Sequence, residues 1–182
     1  MPFVEALRQL QLQVSSDNFC IVHVSMVPVV GDEPGEQKTK PTQHSVKELR
    51  ALGLTPDFIV CRSKRPVENS SREKISLFCN VPVENVLSIP DVPNIYHVPR
   101  VMFSQNFQEL LLNRLRLHKR ENSRAQDSIE TEDSVKSRWE RMVKRIDDAR
   151  DKARIALVGK YTNLGDSYLS VISALKHGMC II

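Results

Sequence analysis

Three short apolar runs, each parted from the next by a helical stretch, constrain this chain more than any other feature. Residues 19–28, FCIVHVSMVP, are rich in β-branched and apolar side chains and read as a buried strand. FIVCR at 58–62 and VLSI at 86–89 read as a second and a third strand. His44–Leu52 has helical spacing, with Gly53 placed to cap its C-terminus, and Ser71–Cys79 reads as another helix. An earlier helix begins MPFVEALRQL, where Pro2 suits a first turn. Strands separated by helices must be joined by crossovers, which makes neighbouring strands parallel. The expectation is therefore an α/β fold: a Rossmann-like, mostly parallel sheet with flanking helices.

In such sheets, ligands gather beyond the C-terminal ends of the strands. Three segments fall there. EQKTKPTQ at 36–43 follows the first strand, Arg62 closes the second, and Pro90-Asp91-Val92 follows the third. In the first, lysines can neutralise phosphate charge, threonine hydroxyls can donate to phosphate oxygens, and Gln43 can present an amide. The helix start after Thr42 adds backbone N–H donors. Lys74 and Arg62 would add charge if the fold brought them close. On composition alone, Lys38 and Lys40 read equally as an ordinary solvated loop.

Further along, Asn106–Leu117 reads as an amphipathic helix. Residues 118–134, HKRENSRAQDSIETEDS, lack apolar periodicity and suit a flexible linker. Residues 135–152 return to helical spacing with Trp139, Met142 and Ile146 on one face. Ile155–Gly159 reads as a strand and Asp166–His177 as a helix, together the beginning of a second α/β domain. Nothing precedes the first helix, and the chain stops in the apolar run Met179-Cys180-Ile181-Ile182. Both ends read as truncated.

Several function classes are disfavoured. The formal net charge is only +4 and both signs are mixed along the chain, unlike a dedicated nucleic-acid binder. Cys20, Cys61, Cys79 and Cys180 are widely spaced, without a zinc-like pattern, and read as buried free thiols of a reducing compartment. No apolar run reaches membrane-spanning length, and the expected location is cytoplasmic. Asn69-Ser70-Ser71 fits a glycosylation sequon but lacks a secretory context. Gly159-Lys160 is not a phosphate-binding P-loop, because Arg154 stands where the earlier glycine is needed and Tyr161 follows the lysine. No nucleophile elbow occurs. His23, amid apolar neighbours, reads as a core histidine rather than a catalytic base. His44 lies one residue beyond the basic loop.

KTKPTQHSVKELRALGLTPDFIVCRS closely resembles the pyrimidine-nucleotide segment of the CTP synthase family. MPFVEALRQ, VHVSMVP, GEQKTKPTQ, EKISLFCNVP and IALVGKYTNLGDSYLSVISALKHG resemble the same family, in its order. The resemblance implies an enzyme, a ligase that aminates UTP to CTP using ATP, magnesium and glutamine. It implies that Lys38, Thr39, Lys40, Pro41, Thr42, Gln43 and Lys74 match a site for UTP and for CTP as product inhibitor. Arg62, Asp91 and Val92 match an ATP-binding segment, in which Pro90 occupies a variable position. It implies three regions: 1–117 from the later part of an amidoligase domain, 118–152 a charged linker and connecting helix, and 153–182 the start of a class I glutamine amidotransferase domain. It also implies a homotetramer, with no nucleic-acid or membrane partner. The family's ATP loop, magnesium ligands and glutaminase catalytic residues have no counterpart within these 182 residues, so no catalytic or metal-binding residue is assigned and the chain alone is expected to be inactive. The alternative is a non-catalytic truncated paralogue that binds nucleotide or full-length subunits and modulates the oligomer.

Overall fold

The computed structural model describes residues 2–117, 132–149 and 153–179. The chain divides between Arg124 and Ala125 into two compact units.

The first unit opens with helix α1, Pro2–Val14. Its own side chains brace it: Glu5 accepts hydrogen bonds from Arg8 and Gln9, and none of its residues is buried. Strand β1 is Val22–Met26. A short antiparallel hairpin follows, β2 at Val29–Val30 and β3 at Glu36–Gln37, where the sequence suggested only a loop. Gly35 is needed at its base, because φ is 62° there and a Cβ would lie 2.7 Å from Val29 Cγ1.

Helix α2 is Lys40–Ala51. It begins four residues earlier than the expected His44. Pro41 lacks only an N–H that the first turn would leave unpaired, and the Gln43 N–H already donates to the Thr39 carbonyl at 3.1 Å. Leu52 caps the far end, and Gly53 follows at φ 84°, as its position in the sequence suggested. Strand β4 (Phe58–Ser63), helix α3 (Asn69–Cys79) and strand β5 (Val86–Pro90) complete the crossovers. Ser71, Ile75 and Cys79 recur at four-residue spacing and are the buried face of α3.

The sheet has the order β1-β4-β5 with both pairings parallel, as the alternation required. Val27, Val46, Ile59, Cys61, Ile75 and Val86 form the core on the α2/α3 face. On the other face Val60, Leu87 and Ile89 pack against α4 (Val98–Phe103) and α5 (Phe107–Arg114). There the rings of Phe58 and Phe107 meet edge to face at 5.3 Å. Helix α4 had no counterpart in the sequence reading, and α5 is shorter than the expected 106–117 segment.

The buried reading of the first strand needs correcting. Among the described residues β1 is an edge strand, with β4 as its single neighbour in the sheet. His23 and Ser25 turn toward α2, while Val24 and Met26 are 60% and 62% exposed. An apolar run signals full burial only when both faces and both edges are covered.

In the second unit, helix α6 runs Glu132–Asp148, starting ahead of the expected 135–152 segment and stopping short of its end. Ile155–Gly159, expected as a strand, pairs with no other strand among the described residues, and Val158 is 94% exposed. β propensity alone does not make a strand without a ladder partner. A 3-10 turn at Gly165–Tyr168 leads into α7, Leu169–Met179. The Tyr168 hydroxyl donates to the Lys160 carbonyl at 2.6 Å, and a Cβ on Gly159 would lie 2.2 Å from that hydroxyl oxygen. Most of the expected linker, with Cys180, lies outside the described residues.

Candidate functional site

The strand C-terminal ends, Met26, Ser63 and Pro90, lie together at one edge of the sheet. A cleft of about 370 Å³ opens there, lined by Val27, Pro28, Val29, Arg62, Ser63 and Asp91 among others. Its floor is made by continuing the ladder past the strands. The Val27 N–H donates to the Arg62 carbonyl at 2.8 Å, and the Asp91 N–H donates to the Ser63 carbonyl at 3.0 Å. The Ser63 hydroxyl donates to the Val27 carbonyl at 2.9 Å. Arg62 and Asp91, expected on different strand ends, are thus neighbours on one cleft, with Val92 next in the chain. Lys64 also lines it. The sequence reading stopped at Arg62 and missed Lys64, two residues further on.

The basic segment joins the same edge. The Lys38 N–H donates to the Pro28 carbonyl at 2.8 Å, which holds the segment against the cleft. The Lys38 ammonium pairs with Glu36. The hydrogen bond from Lys38 holds the Glu36 carboxyl below the usual range, helped by the charges of Lys38 and Lys74. Lys74, which sequence spacing could not place, is thus close enough to act on the Glu36 carboxylate. Glu36 was part of the quoted motif but not a candidate, and its position two residues before a lysine was the available signal. Lys40 is exposed and makes no ion pair among the described residues.

The hydroxyls of the motif face inward. Thr42 is fully buried, with Oγ1 at 2.9 Å from Ser25 Oγ and donating to the Met26 carbonyl at 3.4 Å. Thr39 is buried as well, and its hydroxyl oxygen accepts a hydrogen bond from Gln43 Nε2 at 3.0 Å. Pro41 is exposed on the first turn of α2. The motif thus divides into outward lysines and an inward polar set that anchors α2 to β1.

His23 belongs to that inward set. Its Nε2 lies 2.9 Å from Ser45 Oγ, and burial pushes its pKa below the ordinary 6.5. The folded state therefore disfavours the imidazolium. Folding stability should fall as pH drops from about 6.5 through the lower folded-state pKa, and be flat above it. Melting temperatures measured from pH 8 to 5 should show this slope, and it should be much reduced in His23→Gln.

Burial disfavours the thiolate at the three described cysteines. Burial pushes Cys61 up to about 12 and Cys20 up to about 11, and Cys79 is also raised. Among the described residues no group of three or more His, Cys, Asp or Glu could hold a metal ion. No described helix is long and apolar enough to cross a membrane.

Residues 1–117 match the family profile described as CTP synthase N-terminus. CTP synthase of Dictyostelium discoideum is 47% identical over 186 residues, covering 100% of this chain and 32% of that protein. CTP synthase 2 of Saccharomyces cerevisiae is 48% identical over 176 residues, 97% of this chain and 30% of that protein. CTP synthase 1 of Homo sapiens is 46% identical over 182 residues, 100% of this chain and 29% of that protein. The chain spans about 30% of the length of these curated relatives. A profile match over most of the chain and near-half identity throughout it lead to one conclusion: the chain belongs to the CTP synthase family.

Proposed function

We propose that residues 1–117 carry the pyrimidine-nucleotide site of a ligase that makes CTP from UTP, with ATP and glutamine as the other substrates. Lys38, Lys40 and Lys74 receive the triphosphate of UTP, or of CTP as inhibitor. Thr39, Pro41, Thr42 and Gln43 form the turn that presents those lysines. Arg62, Asp91 and Val92 face ATP at the neighbouring cleft. The observation that carries this reading is the basic segment held at the C-terminal edge of a parallel sheet by the Lys38 N–H bond to the Pro28 carbonyl, with Lys74 close enough to act on Glu36. Three positive charges at one edge suit a polyanion, and ligands of open α/β sheets bind there.

The reaction also needs magnesium to neutralise the transferring phosphoryl group. The described residues offer no fitting ligand cluster, and no step is assigned to a metal here. We read 118–152 as a connection, 153–182 as the first part of a glutamine amidotransferase domain, and the protein as a cytoplasmic tetramer. The exposed Phe3, Leu7, Leu10 and Leu12 of α1 support a subunit contact on that helix.

Calorimetric titration of the purified chain with UTP, CTP and uridine tests the nucleotide site. UTP and CTP should bind, more weakly as salt rises, and uridine should bind far less. Equal affinity for uridine and UTP, or no binding of either nucleotide, would overturn the reading.

A further inference from the structure

Between edge strand β1 and helix α2 sit four polar side chains where apolar packing would serve stability as well. Ser25 Oγ meets Thr42 Oγ1 at 2.9 Å, and His23 Nε2 meets Ser45 Oγ at 2.9 Å. Ser45 Oγ in turn donates to the Thr42 carbonyl at 3.0 Å. That hydroxyl has one proton and it is spent on the carbonyl, so His23 Nε2 must be the donor to Ser45. The tautomer of His23 is fixed by this chain of bonds. Fully satisfied polar contacts are directional, whereas apolar contacts allow a helix to slide or roll. Both bonds act on the first turns of α2, immediately behind Lys38 and Lys40.

We propose that His23 and Ser25 are positioning residues: they fix the register of the α2 N-terminus on β1 and so hold the basic segment against the cleft. Neither touches nucleotide. The link runs from the His23 imidazole through Ser45 to the Thr42 main chain, and from Ser25 to the Thr42 side chain. The Met26 carbonyl, also held by Thr42 at 3.4 Å, ties the same turn to the C-terminal end of β1. This inference rests on the nucleotide reading for its functional consequence but not for its structural content.

The test compares the chain with His23→Leu, His23→Gln and Ser25→Ala variants. Amide hydrogen exchange across residues 40–46 gives a readout independent of nucleotide, with residues 69–79 of α3 as internal control. His23→Leu and Ser25→Ala should each speed exchange in 40–46 by about tenfold, leave 69–79 unchanged, and weaken UTP binding by about tenfold. His23→Gln keeps an N–H donor near the Nε2 position and should restore most of both. If the unmodified chain fails to bind UTP while the exchange pattern holds, the nucleotide reading falls and the positioning role stands. Unchanged exchange in 40–46, exchange raised equally in 69–79, or a His23→Gln chain no better than His23→Leu would overturn the positioning role.

Discussion

In a chain carrying both Lys38→Ala and Lys40→Ala, UTP affinity should fall by about a hundredfold or more while the melting temperature barely moves. A hydrogen bond to a charged partner contributes about 1.5–3 kcal/mol, and about 1.4 kcal/mol is a factor of ten in affinity. Two such contacts at the triphosphate therefore span at least two decades. Neither ammonium supports the fold. Lys40 is exposed, and the partner of Lys38 is the still more accessible Glu36, an arrangement that adds little stability. Titration calorimetry beside thermal melts checks both halves. Retained affinity would remove the basic segment from the site. Lost affinity together with a collapsed melting transition would mean that the lysines are structural.

The second large effect is on folding. Asp57, at the N-terminal end of β4, accepts from the Ile21 N–H at 2.8 Å through Oδ2 and from Arg114 Nε at 2.6 Å through Oδ1. Arg114 reaches from α5 to donate also to the carbonyls of Ser16 at 2.7 Å and Phe19 at 3.1 Å. Residues nearly one hundred positions apart are clamped by one carboxylate and one guanidinium, both mostly buried. Asp57→Ala leaves that guanidinium short of its counter-charge and frees a main-chain donor. A cost of about 3 kcal/mol is expected, which lowers the melting temperature by roughly 10–20 °C for a unit of this size. Asp57→Asn should be intermediate, because its amide oxygen can still accept one bond. A melting temperature within a few degrees of the unmodified chain would show that the clamp is incidental.

Much of the sheet was legible from local signals. FIVCR was read as a strand from its apolar run, and the observed strand extends it by Ser63, with every residue but Arg62 buried. The parallel order followed from the alternation of strands and helices. The reading failed where burial depends on distant neighbours. VHVSM looks as apolar as a core strand, yet its partners lie on one side only. IALVG has the same appearance and makes no ladder among the described residues. The helix was expected to start after Thr42, although a first turn accepts Pro41 and α2 begins at Lys40.

At the candidate site the identities were legible and the orientations were not. Nothing in KTKPTQ says that Thr42 points inward to Ser25 while Lys40 points outward. That division depends on where α2 begins, and a shift of one residue turns a helix by about 100°. Lys74 near Glu36 is a tertiary fact, created by packing α3 beside α2.

The cleft floor carries a consequence for variation. Two of its three ties, Val27 to Arg62 and Asp91 to Ser63, join main chain to main chain, so their geometry does not depend on which side chains stand there. Only Ser63 contributes a side-chain bond to it. The lining can therefore be rewritten residue by residue, at Arg62, Lys64 or Asp91, without redrawing the cavity beneath. A binding preference at this cleft can drift or be engineered by small steps, each leaving a folded protein on which the next can act.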